Sequence, residues 1–209
     1  AMVVLFVALF VKLNWISVVE KSSLDANPLN TAQVRRDFNR PRGSIVTADG
    51  AVIARSVPNP DTSAELKRIR EYPEAELFGQ STGFFSFRYG STGLEKQYND
   101  ELVGTTIGQQ VKGFTDLFVT NRNSGDVIVS LRKDVQQTAR DQLGDREGSV
   151  VALDPRTGEI LGFWSWPSYD PNLVSSVDRA VSESAWKLYN AAPSTPMRAH
   201  MYQDRYFPG

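Results

Sequence analysis

Apolar and polar positions follow several different rhythms along this chain. Residues Met2 to Val19 are almost continuously apolar, with a charged or amide side chain only at Lys12 and Asn14. A membrane-spanning helix needs about 20 such residues. Residues 1–20 are therefore expected to form a transmembrane anchor, with Trp15 toward an interface. Lys12 is costly in hydrocarbon and is expected to snorkel or to face another membrane protein. The alternatives are a cleaved signal peptide or a buried core helix. Neither the basic flank nor the small-residue cleavage site of a signal peptide is visible. The polar stretch Ser22–Asn30 contains Asn27-Pro28, which should end any helix leaving the membrane. Thr31–Phe38 then reads as a short helix with Thr31 as its N-cap.

Strand-like patterns follow. Ile45, Val52 and Ile53 flank Asp49-Gly50, a strong hairpin signal. Leu66, Ile69 and Tyr72 have helical spacing, but the segment closes on Pro73, so helix and strand both remain open. Thr82–Glu95 carries Phe84, Phe85, Phe87 and Tyr89 between glycines and reads as a strand, a turn and a helix beginning near Leu94. Aromatics in such a cluster are expected in a core rather than stacked on a ligand. Residues 104–125 read as a connecting loop or hairpin. Asp126–Leu131 is a strand, and Arg132–Leu143 an amphipathic helix with Val135, Ala139 and Leu143 on one stripe. Ser149–Leu153 and Ile160–Trp164 form a hairpin around Asp154-Pro155-Arg156-Thr157-Gly158, where Pro and Gly supply the turn geometry. The first of these strands is apolar enough to be buried on both faces. Gly162 should allow close backbone approach. Trp166-Pro167-Ser168-Tyr169-Asp170-Pro171-Asn172 breaks regular structure and leaves the sheet. The fold class is α+β.

Composition narrows the chemistry. The chain has 209 residues, 23 basic and 24 acidic side chains, and a net charge of −1. No global field favours nucleic acid. One histidine and no cysteine make a zinc site improbable and exclude a cysteine nucleophile. No cofactor or metal is expected. The carboxylates Asp154 and Asp170 read as turn formers rather than a catalytic pair.

Three blocks carry a family resemblance. Arg42, Gly43, Ile45, Asp49 and Gly50 form R-G-x-I-x-x-x-D-G. Residues 82–95 read TGFFSFRYGSTGLE. Residues 148–172 read GSVVALDPRTGEILGFWSWPSYDPN. Together they resemble the class B penicillin-binding proteins, and the second block the actinobacterial penicillin-binding protein A branch. The resemblance implies an extracytoplasmic chain on a single-pass anchor. It also implies a β-rich pedestal, or dimerisation-type domain, over 21–124 and the opening of a transpeptidase domain over 125–209. In that family a Y-x-P-G segment immediately precedes the S-x-x-K tetrad of the acylated serine. Tyr206, Pro208 and Gly209 keep that register, so the nucleophile is expected directly after Gly209. His200 and Ala199 stand where the family usually has Arg and Asn.

The family's acyl transfer needs S-x-x-K, S-x-N and K-T-G. No S-x-N or K-T-G occurs; Arg156-Thr157-Gly158 is a turn. Ser130–Lys133 and Ser184–Lys187 match S-x-x-K outside its family context and are expected to be incidental. A lone His200 is expected to be structural. No catalytic residue is expected in this chain, which should be inert by itself. The parent is expected to be a serine-type D-Ala-D-Ala transpeptidase of cell-wall synthesis and cell shape. It would act on peptidoglycan stem peptides, be trapped by β-lactams, and partner a SEDS-family glycan polymerase through anchor and pedestal. Two other readings stay open. One is a non-catalytic membrane-tethered module that binds or regulates a cell-wall polymerase. The other is an unrelated β-rich exported domain.

Overall fold

Ile45–Thr47 (β1) and Val52–Pro58 (β2) pair antiparallel across Asp49-Gly50, with Ile45 opposite Ala54 and Val46 opposite Val52. The hairpin signal was thus read correctly. Arg68–Glu71 (β3) extends β2 antiparallel, with Arg55 opposite Glu71. Within the ambiguous segment 66–72, residues 68–71 are therefore a strand, because the open edge of β2 supplies backbone partners that helical spacing alone cannot. Val127–Val129 (β6) joins the other edge of β1 in parallel, giving the order β3-β2-β1-β6.

These coordinates come from a computed structural model that describes residues 38–104 and 124–204, with Lys12 and Arg35. The chain divides into two compact units, 1–37 and 38–209, and the account concerns the second. The anchor expected over 1–20, Thr31, most of loop 104–125 and the Tyr206–Gly209 motif lie outside the described residues. Among those described, no helix is long and apolar enough to cross a membrane.

Between β3 and β6 the chain folds into short pieces. After a 3-10 turn at Ala75–Leu77 comes Gly79–Thr82 (α1). The strand expected within 82–95 is two two-residue strands, Phe85–Ser86 (β4) and Gly90–Ser91 (β5), paired as a hairpin. Gly93–Gln97 (α2) begins within one residue of the expected position, and Asn99–Val103 (α3) follows. The four aromatics pack on neighbours, as expected of core residues. Phe85 stacks on Phe38 at 4.2 Å, Phe87 meets Phe38 edge-on, and Phe84 and Tyr89 flank Trp186.

Lys133–Leu143 (α4) is the expected helix. Its buried positions are Gln136 and Ala139, with Val135 and Leu143 half-buried beside them. Gly148–Leu153 (β7) and Ile160–Trp166 (β8) form the predicted hairpin, with Val150 opposite Trp164. The expectation that its first strand is buried on both faces fails. Val151 and Leu153 are 44% and 58% exposed. Only one face of this two-stranded sheet lies against α4, where a Cβ on Gly162 would sit 2.8 Å from Val135 Cγ1. Phe163 on the other face is stacked by Tyr202.

Three helices close the described chain: Pro171–Ser175 (α5), Arg179–Ala191 (α6) and His200–Gln203 (α7). Asp170 caps α5 by accepting from Asn172 N–H, with Pro171 in the first turn. The segment expected to break structure therefore also starts a helix, and an Asp cap followed by Pro was a readable signal for it. The main core joins Ile45, Ile53, Tyr72, Phe78 and Leu102 to Val127, Ala139 and Trp164. A second cluster holds Phe84, Tyr169, Val174 and Ala185.

Candidate functional site

The densest chemistry in the described residues is a buried cluster that includes Arg42 of the first block and Glu95 of the second. Arg42, Arg70 and Glu95 converge there with side chains 3%, 2% and 0% exposed. Arg42 Nε donates to Glu95 Oε2 at 2.8 Å and Arg70 Nε to Glu95 Oε1 at 2.6 Å. Arg42 also donates to Asn99 Oδ1 and to the Glu95 carbonyl, and its guanidinium lies 4.2 Å above the Phe85 ring. Arg70 Nη1 donates to the Gly43 carbonyl. The Tyr72 hydroxyl receives Phe85 N–H at 2.7 Å and points toward Glu95 Oε1. Burial pushes the Tyr72 phenol well above its usual range, and the neighbouring Glu95 charge adds to it. Burial lowers the Arg42 guanidinium, against the attraction of Glu95. With each oxygen held by a guanidinium and no solvent access, Glu95 of α2 pins β3 and the segment before β1 and is not placed to exchange protons with a substrate.

Asp49, in the hairpin turn, reaches the other side of the fold. Its Oδ2 accepts from Lys133 N–H at 2.9 Å, capping α4 from 84 residues away, while Oδ1 accepts from Thr47 Oγ1. Slight burial pushes the Asp49 carboxyl up. The bonds from Thr47 and Lys133 outweigh it and hold the group below the ordinary carboxylate range.

Residues 165–175 form a second junction. Asn172 clips the backbone of Tyr72, accepting from its N–H and donating to its C=O, both at 2.9 Å. Gln80 Nε2 donates to the carbonyls of Pro167 and Pro196, and its Oε1 accepts from the Ser165 hydroxyl. Ser86 Oγ donates to the Val174 carbonyl. A Cβ on Gly79 would meet the Tyr169 carbonyl oxygen at 2.3 Å. On the opposite side, Gln136 bonds both the N–H and the C=O of Phe163 and also the Leu77 carbonyl. Sequence reasoning missed Glu95, Gln136, Gln80 and Asn172 as contact-makers. A polar side chain in an apolar stripe was the one available signal for Gln136.

The candidates singled out in the sequence stay apart. Ser130 Oγ donates to the Ile160 carbonyl, whereas Lys133 Nζ pairs with Glu74 at 2.8 Å. Ser184 and Lys187 are exposed on α6. Asp154 shapes its turn by accepting from Arg156 N–H, a bond that holds its carboxyl low. Asp170 is the helix cap. His200 Nδ1 pairs with Asp204, its Nε2 lies 3.1 Å from the Ser194 carbonyl, and Arg198 joins Asp204 at 2.6 Å. The His200 bond holds the Asp204 carboxyl low. No group of His, Cys, Asp and Glu among the described residues could hold a metal ion. The arrangement as described holds elements together; no described serine is paired with a lysine.

Residues 42–128 match the model of the penicillin binding protein A dimerisation domain. The chain is 35% identical to the peptidoglycan D,D-transpeptidase PbpA of Mycolicibacterium smegmatis, over all of this chain and 43% of that protein. It is 34% identical to the Mycobacterium tuberculosis PbpA, over 98% of this chain and 42% of that one. The chain thus spans less than half the length of these relatives. Among solved structures, a penicillin G acyl-enzyme complex of M. tuberculosis penicillin-binding protein A superposes with a TM-score of 0.70 at 33% identity. It covers 77% of this chain and 38% of that one. Pseudomonas aeruginosa PBP2 superposes with a TM-score of 0.61 at 26% identity, over 78% and 36%.

Proposed function

Because the chain belongs to the penicillin-binding proteins of the penicillin-binding protein A type, we propose that it is the N-terminal part of a membrane-anchored peptidoglycan D,D-transpeptidase. The observation that carries this reading is that signature residues of the resemblance make the long-range contacts of the fold. Arg42 pairs with Glu95, Asp49 caps α4, and Asn172 clips Tyr72. Residues 1–20 are the anchor, 21–124 the pedestal and 125–209 the opening of the catalytic domain, which faces away from the cytoplasm. The division at residue 125 precedes β6, the strand that returns to the pedestal sheet.

In the whole protein a serine following Gly209 attacks the carbonyl carbon of the penultimate D-Ala of a stem peptide. The bond to the terminal D-Ala breaks, and that residue leaves as an amine carrying the serine's proton. The amine of a neighbouring stem then displaces the serine, which is reprotonated as the cross-link forms. A β-lactam stops at the acyl-serine. The pedestal and anchor dock on a SEDS-family glycan polymerase. The 209 residues alone carry no S-x-N or K-T-G and are inert.

Labelling with fluorescent penicillin tests this reading. The full-length protein is expected to take up one covalent label that a serine-to-alanine change in its S-x-x-K removes, and the 209-residue chain to take up none. A full-length protein that stays unlabelled overturns the enzyme reading and favours the tethered, non-catalytic module.

A further inference from the structure

Among the described residues the buried Arg42–Glu95–Arg70 cluster does not balance its charge. Two guanidiniums share one carboxylate: both oxygens of Glu95 are taken, one by Arg42 and one by Arg70. The other acceptors are neutral, namely Asn99 Oδ1 and the carbonyls of Glu95 and Gly43. The phenol of Tyr72 adds no negative charge, since its oxygen receives Phe85 N–H and its proton is held by burial. The face of Phe85 offsets part of the surplus over Arg42 only. Among the described residues one positive charge therefore has no counter-charge, at side chains no more than 3% exposed, a costly arrangement. The donors are unbalanced as well. Arg70 Nη2 is buried and has no hydrogen-bond partner. A buried guanidinium nitrogen left with two unmet N–H groups calls for an acceptor.

We propose that Arg70 Nη2 holds a small monatomic anion of halide size, which completes the Arg42–Glu95–Arg70 cluster. A water molecule would meet the N–H groups but leave the charge. A halide meets both requirements, and a larger oxyanion brings more acceptors than the unmet donors there can serve.

Crystals of the full chain grown in bromide test the site directly. An anomalous bromide peak within hydrogen-bonding reach of Arg70 Nη2 is expected. A water, or no density, at that position overturns the proposal. In solution, chloride is expected to raise the Tm of the full chain saturably, by a few degrees, over potassium gluconate at equal ionic strength. Identical melting in the two salts also counts against it. Arg70→Lys keeps the charge but removes Nη2, and is expected to abolish the chloride dependence. Should that variant fail to fold, the bromide peak in the wild-type crystal decides the matter.

Discussion

Glu95 is the residue on which the two buried arginines Arg42 and Arg70 converge. It is wholly buried, and its two oxygens hold Arg42 and Arg70. In sequence it is only the last letter of Thr92-Gly93-Leu94-Glu95, a charged residue in the first turn of a short helix and most simply read as solvated. Its partners lie 53 and 25 residues away, and no local pattern reports such pairings. Removing one partner of a buried ion pair leaves an uncompensated charge and typically costs about 3–5 kcal/mol. Glu95→Gln preserves shape and leaves two guanidiniums facing a neutral amide. It is expected to lower stability by an amount of that order in urea unfolding at neutral pH. A loss below about 1 kcal/mol, the range of exposed pairs, would show that the cluster is solvated.

Elements here are joined by side chains acting as backbone partners. Gln136 serves Phe163 of β8 and Asn172 serves Tyr72 at the end of β3, each bonding an N–H and a C=O. Asp49 does the same for the first N–H of α4. The hairpin, the helix and the turn were each legible from spacing and turn chemistry. Their junctions were not, because Gln, Asn and Asp have the same polar signature whether they face solvent or a neighbouring backbone. The junction at Asp49 carries a pH dependence of definite sign. Against the upward push of slight burial, hydrogen bonds from Thr47 and the Lys133 N–H hold its carboxyl below the ordinary aspartate value of 3.8 in the folded chain, so the unfolded chain binds a proton first on acidification. The stabilisation is complete above that value and disappears as pH falls through the lower, folded one. Asp49→Asn keeps the turn and an acceptor but loses the charge. The decline in its urea midpoint with acidification is expected to be shallower than the wild-type decline, measured together with exchange of the Lys133 amide. Parallel decline in the two proteins would place the titration elsewhere.

At the scale of the whole second unit, the larger of the two hydrophobic clusters among the described residues runs from the first hairpin to the last. Ile45 and Ile53 of the pedestal sheet belong to the same cluster as Ala139 and Trp164, and β6 returns in parallel to β1. Residues 38–204 are therefore expected to unfold as one unit. Trp164 fluorescence and the exchange protection of β1 and β2 should share a single midpoint in urea. Separate midpoints would mean that the pedestal and the hairpin are independent. The sequence by itself determined the hairpins, the long helix, the absence of S-x-N and K-T-G, and the resemblance that led to the family. These rest on turn residues, periodicity and wording, all read over a few neighbouring positions. The tertiary structure alone decided the rest. It made 68–71 a strand, because an open edge lay beside it. It left Val151 and Leu153 of β7 exposed, because α4 packs against only one face of that two-stranded sheet. It buried Glu95, because two arginines distant in sequence arrive at the same point. Each outcome depends on what lies across space from a residue, and local pattern is blind to that.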